Sequence, residues 1–371
     1  MKHHKIYSIR TAQRCETHIS LRPSEACYSI GAQLDDLLEA YLRLLAELEL
    51  SDADIFLAKA FASDLINQND SLRAHPLFAQ HLQKAALSIV EQPPLDGSKI
   101  NLLLWLIQSP QRHSFRIDQA ICTTIGEHTH VFHSISPPAA TADQVEQQTF
   151  EAFAEHDRLL KQLNMNLAND CMRTWIYVKD IDCDYGAMVG GRNRYFKAHN
   201  LSPDTHFIAS TGIGGGGDAA GKRLGFDFYA VGSLPPAAVQ YLHAPTHLNP
   251  THQYGVAFER GVRIGYADIS HIFISGTASI NNRGECINSG NTIRQLDRVF
   301  ENIDNLLRDA SANLSHIASM TIYLRDIADA SIARNYIDNR FPTVPALIVL
   351  ARVCRPQWLV EVECIAAILP N

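Results

Sequence analysis

The sequence predicts an α+β protein in which one helix–strand unit is repeated three times. The first observation is a shared order of an amphipathic helix, a short loop, a strand and an acidic turn in residues 37–65, 153–181 and 300–327. The second is the spacing from the second Leu of the helix to the Asp of the turn, which is 19, 20 and 19 residues. So constant a spacing favours a true repeat over three unrelated helix–strand units.

The third copy shows the fullest pattern. Hydrophobic periodicity and flanking turn residues predict a strand, a helix, a strand, a helix and two strands, at 271–276, 291–312, 319–325, 329–340, 345–353 and 359–368. This βαβαββ order implies helices packed on one face of a sheet.

Extended to the whole chain, the repeat predicts three domains. Residues 1–125 form a degenerate first unit. Residues 126–265 form a middle unit with a glycine-rich loop and a long connection rich in Pro and His, and residues 266–371 form the last unit. Long irregular connections are usually functional in compact proteins, so the middle unit is expected to contribute to a site.

Composition narrows the function classes. The chain has 371 residues, of which 46% are hydrophobic and 19% charged, with a net charge of −7. This charge argues against general nucleic-acid binding, and no apolar run approaches the roughly 20 residues that span a bilayer. The eight cysteines include no C-x-x-C pair, and the N-terminus leads into no signal-type apolar segment. We therefore expect a reduced, cytoplasmic protein.

The closing strand of the third unit, residues 359–365, carries two carboxylates in an apolar run. Side chains alternate along a strand, so Glu361 and Glu363 share one face. Such a pair indicates either a solvated edge strand or a site that uses a shifted pKa. In the first unit the same register predicts Asn101 and Leu103 at these two positions. Because a structural need of the fold would recur in every copy, the difference favours a functional role for Glu361.

Other motifs are weaker. Residues 212–217 fit G-x-G-x-x-G, but a strand is predicted to follow where a phosphate-binding loop needs a helix. A hairpin tip or the wall of a pocket is the better interpretation. Histidines cluster at 128–130 and 243–252, without the spacing of metal ligands. Four arginines, Arg260, Arg263, Arg352 and Arg355, could together hold a di-acid, although each alone is more often a surface charge.

The third unit resembles the Rid (YjgF-like) family. That family has a small chorismate-mutase-like α+β fold, forms trimers and binds ligands at subunit interfaces. The closing strand 360–363 looks like its last strand. The arginine that binds substrate carboxylate in Rid imine deaminases should fall near Val344 or Pro345, and this sequence has none there. Imine deamination is therefore disfavoured.

A closer resemblance, covering about 170–368, is to the chorismatase family. It is carried by five short segments: 211–214, 253–255, 275–280, 353–355 and 359–363. The resemblance implies that one chain forms a pseudo-trimer of three Rid-like units, with helices outside a central barrel-like sheet. One departure is the segment from Gly255 to Arg260, which is shorter than in the family and leaves the substrate contacts there open.

Chorismatases release pyruvate from chorismate, and the resemblance implies that Glu361 is the catalytic acid. It also implies residues that bind the substrate or shape its pocket: Arg260, Tyr254, Arg352, Arg355, Cys354, Ala278, Gln253, Thr211 and Gly212. A cysteine seven residues before the catalytic glutamate marks the branch of the family that forms 3-hydroxybenzoate, and Cys354 stands there.

The expected ligand is thus a small dicarboxylate, with no metal, cofactor, nucleic acid or membrane as partner. The chain is expected to act as a monomeric pseudo-trimer or a weak homo-oligomer. Two other functions remain open, a Rid-type enamine or imine deaminase and a non-catalytic small-metabolite binding protein.

Overall fold

The computed structural model describes residues 3–24 and 29–370, except for the side chain of Tyr254. In these ranges the strands form three mixed sheets of five, six and six strands. None of the helices that are described is both long and apolar enough to cross a membrane.

The first sheet has the strand order β1-β2-β5-β3-β4. Its elements are β1 (His4–Arg10), β2 (Cys15–Leu21), α1 (Ile30–Glu47), β3 (Ile55–Ala62), α2 (Leu65–Ala74), β4 (Ala86–Glu91) and β5 (Ile100–Gln108). A π-helical segment, Leu77–Leu82, connects α2 to β4.

The second sheet has the order β10-β9-β11-β8-β7-β6. Its elements are β6 (Arg112–Ile117), β7 (Ala120–Ile125), β8 (His128–Ile135), α3 (Val145–Gln162), α4 (Leu167–Asp170), β9 (Cys171–Val178), α5 (Ile181–Ala198), β10 (Ala209–Gly214) and β11 (Leu224–Gly232).

The third sheet has the order β12-β13-β14-β17-β15-β16. Its elements are β12 (Val239–Tyr241), β13 (Gly261–Gly265), β14 (Ser270–Ala278), α6 (Thr292–Asp309), β15 (Ile317–Leu324), α7 (Ala330–Arg340), β16 (Ala346–Leu350) and β17 (Val360–Ile368).

The predicted repeat is confirmed. The first helices α1, α3 and α6 are each 18 residues long, and the strands that follow, β3, β9 and β15, are each eight residues long and fully buried. The Asp of each acidic turn stands at the N-cap position of the next helical segment, and in the first and third units its side chain accepts a capping hydrogen bond. For example, the Asp64 side chain accepts a hydrogen bond from the Asn67 N–H at the start of α2, which satisfies a backbone donor that would otherwise lack a partner.

The predicted α+β class and the arrangement of the units are also confirmed. Each sheet packs one face against its own helices, as Leu296, Phe300 and Ile303 of α6 do against the third sheet. The opposite faces of all three sheets meet in one central core, to which Phe56, Tyr229 and Phe273 each contribute a buried ring. The helices therefore lie outside and the sheets inside, as in a trimer built within one chain.

The sheets divide the chain at different positions from the predicted domain boundaries. The hairpin β6–β7 pairs with β8 of the second sheet, and β13 pairs with β14 of the third. Because inter-strand hydrogen bonds assign each strand to one sheet, we propose that the units span 4–108, 112–232 and 239–368. The boundaries predicted near 125 and 265 lie between strands that are joined by hydrogen bonds.

Candidate active site

The candidate site lies where the third unit meets the second. Strands β14 and β17 form one wall, and β10 and α5 form the other. Between them is a cavity whose space free of protein atoms is about 510 Å³, including the solvent at its open side. Its lining residues are Tyr185, Arg192, Ser210, Gly212, Phe258, Arg260, Gly276, Ala278, Ile280, Cys354, Arg355, Trp358 and Glu361.

Glu361 is a buried carboxyl at this cavity, with only 4% of its surface exposed. Burial, followed by the nearby charge of Glu363, raises the pKa of Glu361 to about 8. Its carboxyl packs against the backbone of Gly276, where a side chain would overlap Glu361 Oε1. Glu361 can therefore hold a proton at neutral pH in a fixed position facing the cavity.

Glu363 lies behind this wall and is held by three donors. It accepts hydrogen bonds from Arg173 Nη2 at 2.8 Å, Trp175 Nε1 at 2.9 Å and Thr211 Oγ1 at 2.6 Å. Thr211 Oγ1 also accepts a hydrogen bond of 2.9 Å from the N–H of Gly276. The Glu363 network thus supports the backbone against which the acid packs, while its negative charge favours the protonated form of Glu361.

Three arginines give the cavity its charge. Arg260 is 7% exposed and donates from Nη2 to the Asn249 carbonyl at 3.0 Å. Arg355 lies over the ring of Tyr185 at 5.9 Å, and Arg192 extends from the buried side of α5. Among the described lining residues the one acidic side chain is Glu361, whose pKa is raised, so the cavity favours a negatively charged ligand.

Cys354 lies in the same lining. Burial, with a smaller contribution from Glu361, raises the pKa of the Cys354 thiol to about 12. It is therefore a neutral, compact part of the wall at neutral pH and not a thiolate nucleophile.

The structure brings most of the predicted site residues together. Glu361, Arg260, Arg355, Cys354, Ala278 and Gly212 line the cavity. The glycine-rich segment 212–217 begins within β10, where Gly212 lines the cavity, and the chain then continues into β11 and not into a helix.

Three predicted binding residues lie elsewhere. The Arg352 side chain is 62% exposed and pairs with Asp182 at 3.0 Å, because the turn after β16 directs it to the surface. Gln253 is exposed in the helical turn Thr251–Tyr254, and Thr211 is buried behind the lining in the Glu363 network. The Tyr254 side chain is outside the described residues.

Two important arginines were not predicted from the sequence. Arg192 lies one helical turn from Met188 and two turns from Tyr185, on the buried side of α5. An arginine within an apolar helix face is the sequence signal that could have identified it as a site residue. Arg173 is a charge in a fully buried strand, which gave a similar signal. No group of three or more His, Cys, Asp or Glu side chains in the described ranges is arranged to hold a metal ion.

The other two closing strands confirm that the carboxylate pair belongs to one copy. Tyr323, Tyr177 and Phe61 occupy equivalent places in β15, β9 and β3. They pair with Glu361, Gly225 and Asn101, respectively. Two residues further along the closing strands, on the same face, stand Glu363, Asp227 and Leu103. The predicted register of the first unit is thus confirmed, and the second unit also lacks an acid at the position of Glu361.

Comparison with known proteins agrees with this architecture. Residues 257–368 match the endoribonuclease L-PSP family, the Rid (YjgF-like) type of unit. Over 111 residues the chain is 29% identical to the RutC family protein PYRAB12510 of Pyrococcus abyssi. The matched segment covers 29% of this chain and 84% of that protein.

The whole chain matches a crystal structure of a chorismatase. The TM-score is 0.66 and the sequence identity 17%, over 97% of this chain and 100% of that chain. The protein therefore has the fold of a chorismatase, with a third unit of the endoribonuclease L-PSP type, and the predicted resemblance is confirmed at this level.

Proposed function

We propose that the protein releases pyruvate from chorismate, with Glu361 as the general acid. The observation that carries this proposal is a buried carboxyl, with a pKa of about 8, at the wall of a cavity with three arginines. Chorismate is a dicarboxylate with an enolpyruvyl ether. Protonation of the ether's methylene carbon gives an oxocarbenium ion, and this step needs an acid that keeps its proton near neutral pH.

The arginines of the cavity can bind the substrate, and the carboxylate of Glu361 can stabilise the intermediate. Arg192, Arg260 and Arg355 offer planar donors for two carboxylates, which guanidinium groups bind through paired hydrogen bonds. After proton transfer, ionised Glu361 stabilises the adjacent cation, as carboxylates do in glycoside hydrolysis. Both walls of the cavity belong to one chain, so a monomer suffices for this reaction.

We further propose 3-hydroxybenzoate as the second product, formed without addition of water. The neighbouring ring hydroxyl attacks the cation, and loss of a ring proton with departure of pyruvate gives the aromatic ring. Cys354 and Ala278, together with Phe258, Ile280 and Trp358, supply a compact wall with few groups that could hold a hydrolytic water.

The test is incubation of the pure protein with chorismate. We expect pyruvate, followed through NADH oxidation by lactate dehydrogenase, and an equal amount of 3-hydroxybenzoate by chromatography. A dihydroxy-cyclohexadiene carboxylate in its place would overturn the proposed product and keep the reaction class. Absence of pyruvate would overturn the proposal.

The endoribonuclease L-PSP match at 257–368 keeps Rid-type deamination as the second candidate. Ammonia release from an unstable imine would favour it. Thermal stabilisation by chorismate without turnover would instead favour a non-catalytic binding protein.

The rate should fall on the alkaline side. We expect kcat/KM for pyruvate release to decrease with a midpoint near pH 8, because Glu361 must be protonated and burial raises its pKa to about 8. Glu363→Gln removes a charge that raises the pKa of Glu361, so the midpoint should move to lower pH. Glu285→Gln, at an exposed position, is the control and should leave the midpoint unchanged. A rate that still rises above pH 9 would contradict the assignment.

Gly276 should tolerate no side chain. In Gly276→Ala the new methyl overlaps Glu361 Oε1 and lies 3.0 Å from Thr211 Cγ2, so the acid must move. A displacement of this size can reduce the rate of pyruvate release about 100-fold. Gly186→Ala on α5 is the control, because its methyl would meet nothing within 4 Å. Equal rates for both variants would show that the position of Glu361 is not critical.

A further inference from the structure

A second large cavity lies where the first unit meets the second. Its space free of protein atoms is about 1020 Å³, including the solvent at its open side. Strand β4 and the segment from α2 through the π-helix form one side, and strands β8 and β11 with the hairpin β6–β7 form the other. These elements correspond to those that enclose the candidate active cavity, so this second interface cavity is its counterpart between a different pair of units.

Its chemistry differs from that of the active cavity. The position equivalent to Glu361 is Gly225, which leaves no acid there. Asp227, equivalent to Glu363, accepts hydrogen bonds from Ser134 Oγ at 2.6 Å, Tyr177 Oη at 2.9 Å and Ser88 Oγ. The carboxylate of this cavity is thus already bound by three hydroxyls and has no proton-transfer role to play.

The solvent-exposed charged side chains of the cavity lining are arginines, and they lie at its mouth. Lys59, deep inside, sits 3.7 Å above the Trp175 ring and 4.0 Å from Glu363, so its charge is compensated within the protein. Arg73 and Arg116 line the outer part. Arg73 makes a 3.4 Å contact with Asp218, and Arg116 donates to the Gln83 carbonyl at 2.9 Å. Both are solvent-exposed and keep donors for a ligand.

The inner walls are apolar and partly aromatic. Phe78 and Phe132 line the cavity together with Leu87 and Ile121. His133, also in the lining, has a pKa lowered by burial to about 4 and is uncharged at neutral pH. Flat apolar walls with cations at the entrance match a planar hydrophobic body that carries one carboxylate at its outer end.

We propose that the second interface cavity binds a small aromatic monocarboxylate at a non-catalytic site, with its ring against Phe78 and Phe132 and its carboxylate at Arg73 and Arg116. The inference rests on the walls of this cavity and not on the reaction proposed above. The proposed second product of that reaction is itself an aromatic monocarboxylate, so the reaction would supply a ligand of this class.

The test uses 3-fluorobenzoate and ¹⁹F NMR on the full chain. We expect saturable binding that persists in Arg260→Gln, which weakens the active cavity. Arg73→Gln/Arg116→Gln should weaken this binding about tenfold or more, through loss of two charged hydrogen bonds. Arg283→Gln, at a surface arginine whose side chain is 75% exposed, should leave it unchanged.

A steric variant provides the second measurement. Ala79 is exposed in the cavity lining, so Ala79→Trp can fill the mouth without disturbing the core. We expect it to abolish the same binding while pyruvate release from chorismate, if present in the parent, is unchanged. Absence of saturable binding, or binding lost only in Arg260→Gln, would overturn the proposal and leave the active-site assignment untouched.

Discussion

Replacing Glu361 with Gln is expected to reduce pyruvate release from chorismate by about 10²–10⁴-fold, the usual contribution of a positioned general acid. Gln preserves the size of the side chain and its packing against Gly276, but it has no proton acidic enough to transfer to a carbon atom. It also cannot become the anion that stabilises the cation. The measurement is the steady-state rate of pyruvate formation at neutral pH.

Melting temperatures distinguish this loss of acid catalysis from misfolding of the variant. The pKa of Glu361 in the folded protein lies above its ordinary value, so folding loses stability as pH rises from about 4.5 to about 8. Glu361→Gln lacks this penalty. Its melting temperature should therefore equal that of the parent at pH 4 and exceed it at pH 8. Glu285→Gln should change neither the rate nor the melting temperature. A Glu361→Gln variant that is well folded and fully active would refute the assignment of the acid.

Glu361 could be proposed as the acid from the sequence because two local signals agreed. Strand alternation placed Glu361 and Glu363 on one face, and the repeat showed that the first unit has Asn101 and Leu103 there. Both signals depend on spacing along the chain, which strands and repeats preserve.

The rest of the site depends on contacts between distant segments. Arg173 meets Glu363 across 190 residues, and no local pattern encodes that pairing. Arg352 and Arg355 both lie in the irregular segment between β16 and β17, where no periodicity determines which side chain faces the cavity. The sheet to which an outer hairpin such as β6–β7 belongs is likewise set by tertiary hydrogen bonds, which spacing along the chain does not encode.

Replacing Arg173 with Leu is expected to lower the free energy of unfolding by about 3–5 kcal/mol, the usual cost of leaving one member of a buried ion pair alone. Arg173 and Glu363 are 1% and 7% exposed, and their side chains are 2.8 Å apart. Without the guanidinium, Glu363 keeps Trp175 and Thr211 as donors, but the nearest cation, Lys59, is 4.0 Å away. Urea denaturation would measure the loss.

Two further variants show whether the loss of stability in Arg173→Leu comes from the unpaired charge of Glu363. Lys5→Met breaks the surface pair with Asp338 and should cost no more than about 1 kcal/mol. Arg173→Leu/Glu363→Leu removes both charges and should recover much of the stability. The attraction between two buried charges is little larger than the free-energy cost of removing them from water. Removing Glu363 takes away a charge that raises the pKa of Glu361, and removing Arg173 takes away one that lowers it. The double variant should therefore shift the alkaline midpoint of the rate less than Glu363→Gln does. A double variant as unstable as Arg173→Leu would mean that packing of the guanidinium stem, and not its charge, holds this interface together.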